Sequence, residues 1–294
     1  MAANRLKNLS AWRDELDDLI RGASGGFLFG IPLLYTMEVW WIGSSVQPPR
    51  ILMAMLLTFA IIFLLNRTEG FRKVSDTNAL NAAMDSIEAI AIGITCTGLI
   101  LFLLREIDGR TPLAEMLGKL VYESIPFALG VALANQFLGD DRQSGRQPKK
   151  QNHHHRSSNS KQFNATLADI GGTLIGATVI GFNIAPTDEV SMLATAVSGP
   201  WLLAVMIVSL IISYAIVFQA EFSNQDKREQ QQGIFQRPLS ETFASYIISL
   251  LAAAMMLLLF DRLSWSDPWQ QWLSYIILLG LPATIGGAAG RLAV

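Results

Sequence analysis

The 294-residue chain reads as an all-α integral membrane protein: eight transmembrane helices in two parallel four-helix repeats, related by a pseudo-twofold axis along the membrane normal. Three observations predict this. Hydrophobic residues make up 51% of the chain and charged residues only 16%; the apolar residues gather into runs of spanning length; and the second half echoes the first. An ordinary soluble domain carries about 25% charged residues, and about twenty apolar residues cross the hydrocarbon core.

Residues 1–19 are polar and lack the apolar centre of a secretory signal. Within and just after them Leu6, Leu9, Trp12, Leu16, Leu19 and Ile20 recur every three or four positions. That is one face of an amphipathic cytoplasmic helix, lying on the membrane surface or packed on the protein. Spans are predicted at 20–43, 50–66, 79–104, 116–138, 166–186, 200–221, 241–260 and 271–291. The first repeat then covers 20–138, a cytoplasmic basic linker 139–163, and the second repeat 164–294. Only Arg50, Arg105, Arg110, Lys119 and Arg262 fall on one side of this arrangement; the other basic residues gather with the termini and the linker. By the positive-inside rule both termini are cytoplasmic.

The linker mixes charge with Ser, Asn and Gln without periodicity, as a solvated segment does. Its His153 to His155 have no further ligands at metal-binding spacing, so no metal site is assigned. The lone cysteine, Cys96, lies in an apolar run and leaves no intrachain disulfide to form.

The repeat is legible residue by residue. G-G-x-L-x-G at Gly25, Gly26, Leu28 and Gly30 recurs at Gly171, Gly172, Leu174 and Gly176. After a short insertion Glu38 matches Glu189, Pro49 matches Pro200 and Met55 matches Met206. After a second, one unbroken offset pairs Asp85 with Glu241, Pro112 with Pro268, Pro126 with Pro282 and Gly130 with Gly286. Four spans per copy return the chain to the same side, so the copies share one orientation. PLLYTMEVWW at 32–41 and NIAPTDEV at 183–190 resemble the signature stretches of an uncharacterised family of bacterial integral membrane proteins, a domain of unknown function. The resemblance implies a membrane protein and brings no activity with it.

Gly22, Gly26 and Gly30, with Gly172 and Gly176 in the second copy, give the first helix of each copy a smooth face for close helix packing. The acids carry the functional expectation. An ionisable residue in a span costs roughly 2.5 to 3.5 kcal/mol at the bilayer centre and usually faces a cavity or a partner. On a straight helix from Ile20, Glu38 reaches the outer interface beside Trp40 and Trp41, and Glu189, with Asp188, reaches a similar level after Pro186. Asp85 and Glu241 lie near the inner face. Two symmetric acidic mouths that concentrate cations follow, joined through spans bearing small hydroxyl groups such as Ser209 and Ser213. The competing reading has Thr187 cap a helix and the acids favour its dipole. Glu123 has no acidic match and stands one turn from Lys119.

No zinc, nucleophile-elbow, phosphate-loop or dinucleotide motif is present, so no catalytic residue and no cofactor is expected. The sequence therefore predicts a cation channel or small-ion transporter handling a monovalent cation or proton, with membrane lipid as its surroundings and no nucleic-acid partner. A homo-oligomer is compatible with this reading. The alternative is a non-transporting scaffold that binds lipid or a partner through its basic linker and amphipathic N-terminus.

Overall fold

The structure is a computed structural model that describes residues 2–68, 79–134, 138, 158–222 and 238–292. Among them are ten helices: α1 (Ala2–Leu34), α2 (Met37–Ser45), α3 (Pro48–Thr68), α4 (Ala79–Leu103), α5 (Leu113–Ala132), α6 (Ser158–Ile184), α7 (Glu189–Ala196), α8 (Gly199–Phe222), α9 (Pro238–Leu259) and α10 (Trp269–Leu292). Most of the expected linker, including the three histidines, lies outside the described residues; α6 already begins within its last part.

Five helices are long and apolar enough to cross a membrane, or seven spans when each of two bent pairs counts as one. The bends correct the sequence reading. The expected span 20–43 is not straight, because α1 and α2 meet at 91°, and α6 and α7 meet at 86°. The depth assigned to Glu38 therefore does not hold, since it presumed an unbroken helix. At the other end α1 runs without interruption from Ala2, with Trp12, Leu16 and Leu19 exposed on it. The expected span 116–138 corresponds to α5, which falls outside that set and carries Glu115, Lys119 and Glu123 within its 20 residues.

The ends of α4 and α9 share one motif. Arg105 and Asp261 adopt left-handed conformations, φ 63° and 57°. Around the first, the amides of Arg105 and Glu106 donate to the carbonyls of Phe102 and Leu101; around the second, those of Asp261 and Arg262 donate to Leu258 and Leu257. This is the Schellman arrangement, which satisfies the last carbonyls of a helix. The two turns occupy positions matched in the sequence repeat.

Two compact units divide the chain. The first holds Met1–Gly30, Glu38–Leu99 and Thr111–Gly139. Its centre is α5. A Cβ on Gly25 would stand 2.5 Å from the Gly130 carbonyl oxygen, and one on Gly26 3.1 Å from Val131 Cγ2. The Phe127 ring fills the space left by Gly30 and meets Phe27 edge to face at 6.2 Å. Gly43 of α2 seats on the backbone of Gly118 and Lys119, and Gly93 of α4 on Ala128. Between α3 and α4 the buried Asn66 amide donates to Ser86 Oγ at 3.1 Å, beside a core of Ile62, Ala89, Ala128 and Val131.

The second unit holds Ile31–Met37, Ile100–Arg110 and Asp140–Val294. It is built around α10, which packs on α6, α8 and α9. Gly176 lies against Gly286 and Gly290, the Gly290 position abuts the Gly172 carbonyl, and Gly287 fits between Thr173 and Ser249. Residues 100–110 add a cap: the Trp201 indole donates to the Leu103 carbonyl at 2.5 Å, and the Arg105 guanidinium lies 4.1 Å over the same ring.

These contacts separate glycines of one helix by role. Gly176 abuts backbone that cannot retreat, whereas a side chain at Gly171 meets nothing within 4 Å. Gly176→Leu is expected to cost at least the roughly 1–3 kcal/mol of ordinary overpacking, lowering melting temperature and yield in detergent, and Gly171→Leu to leave both unchanged. Equal behaviour of the two variants would remove the packing role.

Candidate functional site

The site is built where the two helix breaks occur. At Pro186 the chain has no amide hydrogen to continue α6, and the residue before a proline is pushed from the helical region. The last helical amide bond there runs from Ala185 to Gly181. In α1, Pro32 withdraws one bond two residues before the helix ends at Leu34. Each break then closes in the same way. Thr36 Oγ1 donates to the Leu33 carbonyl at 2.8 Å, and Thr187 Oγ1 to the Ile184 carbonyl at 2.6 Å. Thr187 therefore serves the end of α6 and is not the cap of α7, whose N-cap position is Asp188, with no side-chain cap bond.

Residues 31–37 sit within the second unit, and two bonds tie them there. The Tyr35 hydroxyl donates to the Leu278 carbonyl at 2.7 Å in a buried setting. That carbonyl is free because Pro282, four residues on, supplies no amide hydrogen. The Met37 amide, at the first position of α2, points to Glu189 Oε1 at 3.5 Å.

Among the predicted site acids whose side chains are described, Glu189 alone is buried, at 5% exposure. It opens α7, where the helix dipole favours negative charge, and its Oε1 receives an amide at the start of α2. Its Oε2 is fully buried and has no hydrogen-bond partner. A carboxylate oxygen in that position is costly unless something binds it. Beside it Asp188 is exposed and pairs with Arg262 at 2.7 Å; Arg262 also donates to the Pro186 carbonyl, so one guanidinium latches the α9 terminal turn to the second break.

The other predicted residues do not join this site. Glu38, the sequence match of Glu189, is exposed in the first turn of α2 and belongs to the first unit, as does half-buried Asp85 on α4. Glu241 lies on α9, and its side chain is outside the described residues. Trp41 is exposed and Trp40 buried. In α5, Lys119 Nζ stands 3.0 Å from Glu115, and both Lys119 and Glu123 are buried. No group of His, Cys, Asp and Glu able to hold a metal is present among the described residues. Tyr35, the Met37 amide and Arg262 escaped the sequence reading. Pro282 signals a free carbonyl at Leu278, but nothing local identifies its donor.

Tyr35→Phe keeps the ring and removes the donor, leaving the Leu278 carbonyl buried and unsatisfied. A loss of about 1–3 kcal/mol is expected, read as a lowered thermal unfolding midpoint of the purified protein. An unchanged midpoint would show that the bond contributes nothing.

No curated protein matches the chain, and no solved structure does. A family profile matches residues 18–294, nearly the whole sequence. The chain belongs to the family described as "Putative integral membrane protein (DUF2391)".

Proposed function

We propose that the protein moves a monovalent cation or a proton across the bacterial inner membrane, and that Glu189 is the group that binds it. The observation carrying this reading is the buried Glu189 carboxylate, whose Oε2 has no partner and which stands where two helix breaks meet in the second unit. Intramembrane ionisable residues mark ion and proton pathways far more often than they stabilise a fold. Broken helices are also the usual means of presenting polar groups to an ion inside a bundle. The expectation of four acids lining two mouths narrows accordingly to one buried carboxylate.

The architecture we infer is two parallel copies of a four-span unit. Supporting it, the turns at Arg105 and Asp261, the hydroxyl bonds at Thr36 and Thr187, and the two bends recur at matched positions. Counting α5 as the eighth span fits the burial of Lys119 and Glu123, which turns its charges inward. With an even number of spans in each copy both termini lie on one side, which the distribution of Lys and Arg makes the cytoplasmic one.

A non-transporting scaffold is the competing reading. The exposed Trp12, Leu16 and Leu19 on α1 favour it, since such a stripe suits a lipid surface. Flux into proteoliposomes separates the two. Wild type is expected to pass sodium, potassium or protons, and Glu189→Gln to reduce the rate at least about tenfold, equivalent to roughly 1.4 kcal/mol on the barrier. Glu38→Gln, at an exposed position, is expected to have a smaller effect. Wild-type liposomes that pass none of the three ions, or a Glu189→Gln rate equal to wild type, would overturn the transport reading.

A further inference from the structure

Midway along α8, Ser209 and Ser213 stand one turn apart, about 15 to 21 Å from the start of the 24-residue helix. Both are completely buried, and Tyr246 of the adjoining α9 is buried beside Ser209. Ser209 gives its proton to the Val205 carbonyl at 2.7 Å, which turns its lone pairs away from its own helix. Ser213 Oγ has no hydrogen-bond partner, and the Tyr246 hydroxyl approaches the Ser209 oxygen without completing a well-formed bond. Elsewhere in this unit buried hydroxyls are engaged: Ser249 donates to Ser245 O at 2.9 Å and Thr284 to Gly280 O at 2.6 Å. Two idle hydroxyls inside one bundle are unfavourable unless a guest satisfies them.

We propose that Ser209, Ser213 and Tyr246 form a binding site for a dehydrated alkali-metal cation, a waypoint on the path of the transport reading, on which this inference rests. The chemistry sets the guest. All three ligands are uncharged hard oxygens, and neither α8 from Gly199 to Val217 nor α9 from Thr242 to Leu259 contains an acidic residue. Divalent cations draw on carboxylates, so the site suits a single positive charge. Neutral oxygens replace the hydration shell of a monovalent ion yet release it again, which conduction requires. Ser213 can adopt the arrangement Ser209 already shows, its proton on the preceding turn and its lone pairs toward the guest.

The test uses the purified full-length protein and thermal unfolding in sodium, potassium or choline chloride at matched ionic strength. One alkali cation is expected to raise the wild-type midpoint above choline, through binding to the folded state alone. Its apparent affinity is expected to fall at least about tenfold, roughly 1.4 kcal/mol, in Ser213→Ala and in Tyr246→Phe, and to persist in Ser249→Ala. If Ser213→Ala does not fold, Tyr246→Phe decides. No alkali-specific rise in wild type, or a rise kept in both variants, overturns the proposal and leaves the cluster holding water only. Liposome flux keeps the two readings apart. Transport with an unaltered sodium-to-potassium preference in Ser213→Ala also overturns this site while leaving the transport reading standing; intact binding without flux overturns transport alone.

Discussion

A backbone broken inside an apolar bundle must find its hydrogen bonds within the protein, because lipid offers none. Two right-angle breaks impose this demand, and the second unit is organised around meeting it. Thr36 and Thr187 serve carbonyls left by the last turns, Arg262 serves the Pro186 carbonyl, and Tyr35 serves the carbonyl that Pro282 releases. The amide that opens α2 is left for Glu189. The carboxylate thus sits where backbone polarity already accumulates, and two helix N-termini lower the cost of burying it. One of its oxygens is accommodated by that polarity and the other is not.

Holding the breaks in place falls to small residues. Without a hydrophobic drive between helices in lipid, association depends on close van der Waals approach. Glycines supply it where α1 meets α5 and where α6 meets α10, though in different registers. Gly130 seats at Gly25 and Gly26, while its sequence match Gly286 seats at Gly176, a turn further along, because in the first unit the Phe127 ring occupies the hollow at Gly30. At the residue matching Phe127 the second unit has Ala283, so no ring lies against Gly176.

Composition and apolar run length made the helical membrane character legible, since these depend on residues close in sequence. The breaks were only half legible. Pro186 announced the end of α6, but the break at Tyr35 and Thr36 interrupts an apolar run that reads continuously, and hydropathy is blind to a helix that turns through a right angle without changing composition. The difference between Glu38 and Glu189 was not legible at all, because burial is decided by what packs around a residue; the residues that hold Glu189's surroundings together, Tyr35 and Arg262, lie far from it along the chain.

That difference shapes what the matched halves can do. Where position demands only geometry, the halves agree: Arg105 and Asp261 share a left-handed turn that ordinarily favours glycine, with the same hydrogen bonds around each. Where position demands chemistry, they diverge. Arg105 stacks on Trp201, while its match is an acid; Glu106 matches Arg262, the residue that latches the second break. At these sequence-matched positions the turn geometry is the same while the charge is reversed. A symmetric ring of acids would need equal environments in both halves, and Glu38 and Glu189 do not have them. At Glu189 the cost of burying a carboxylate is offset by contributions from residues 35–37 and 186–189 together.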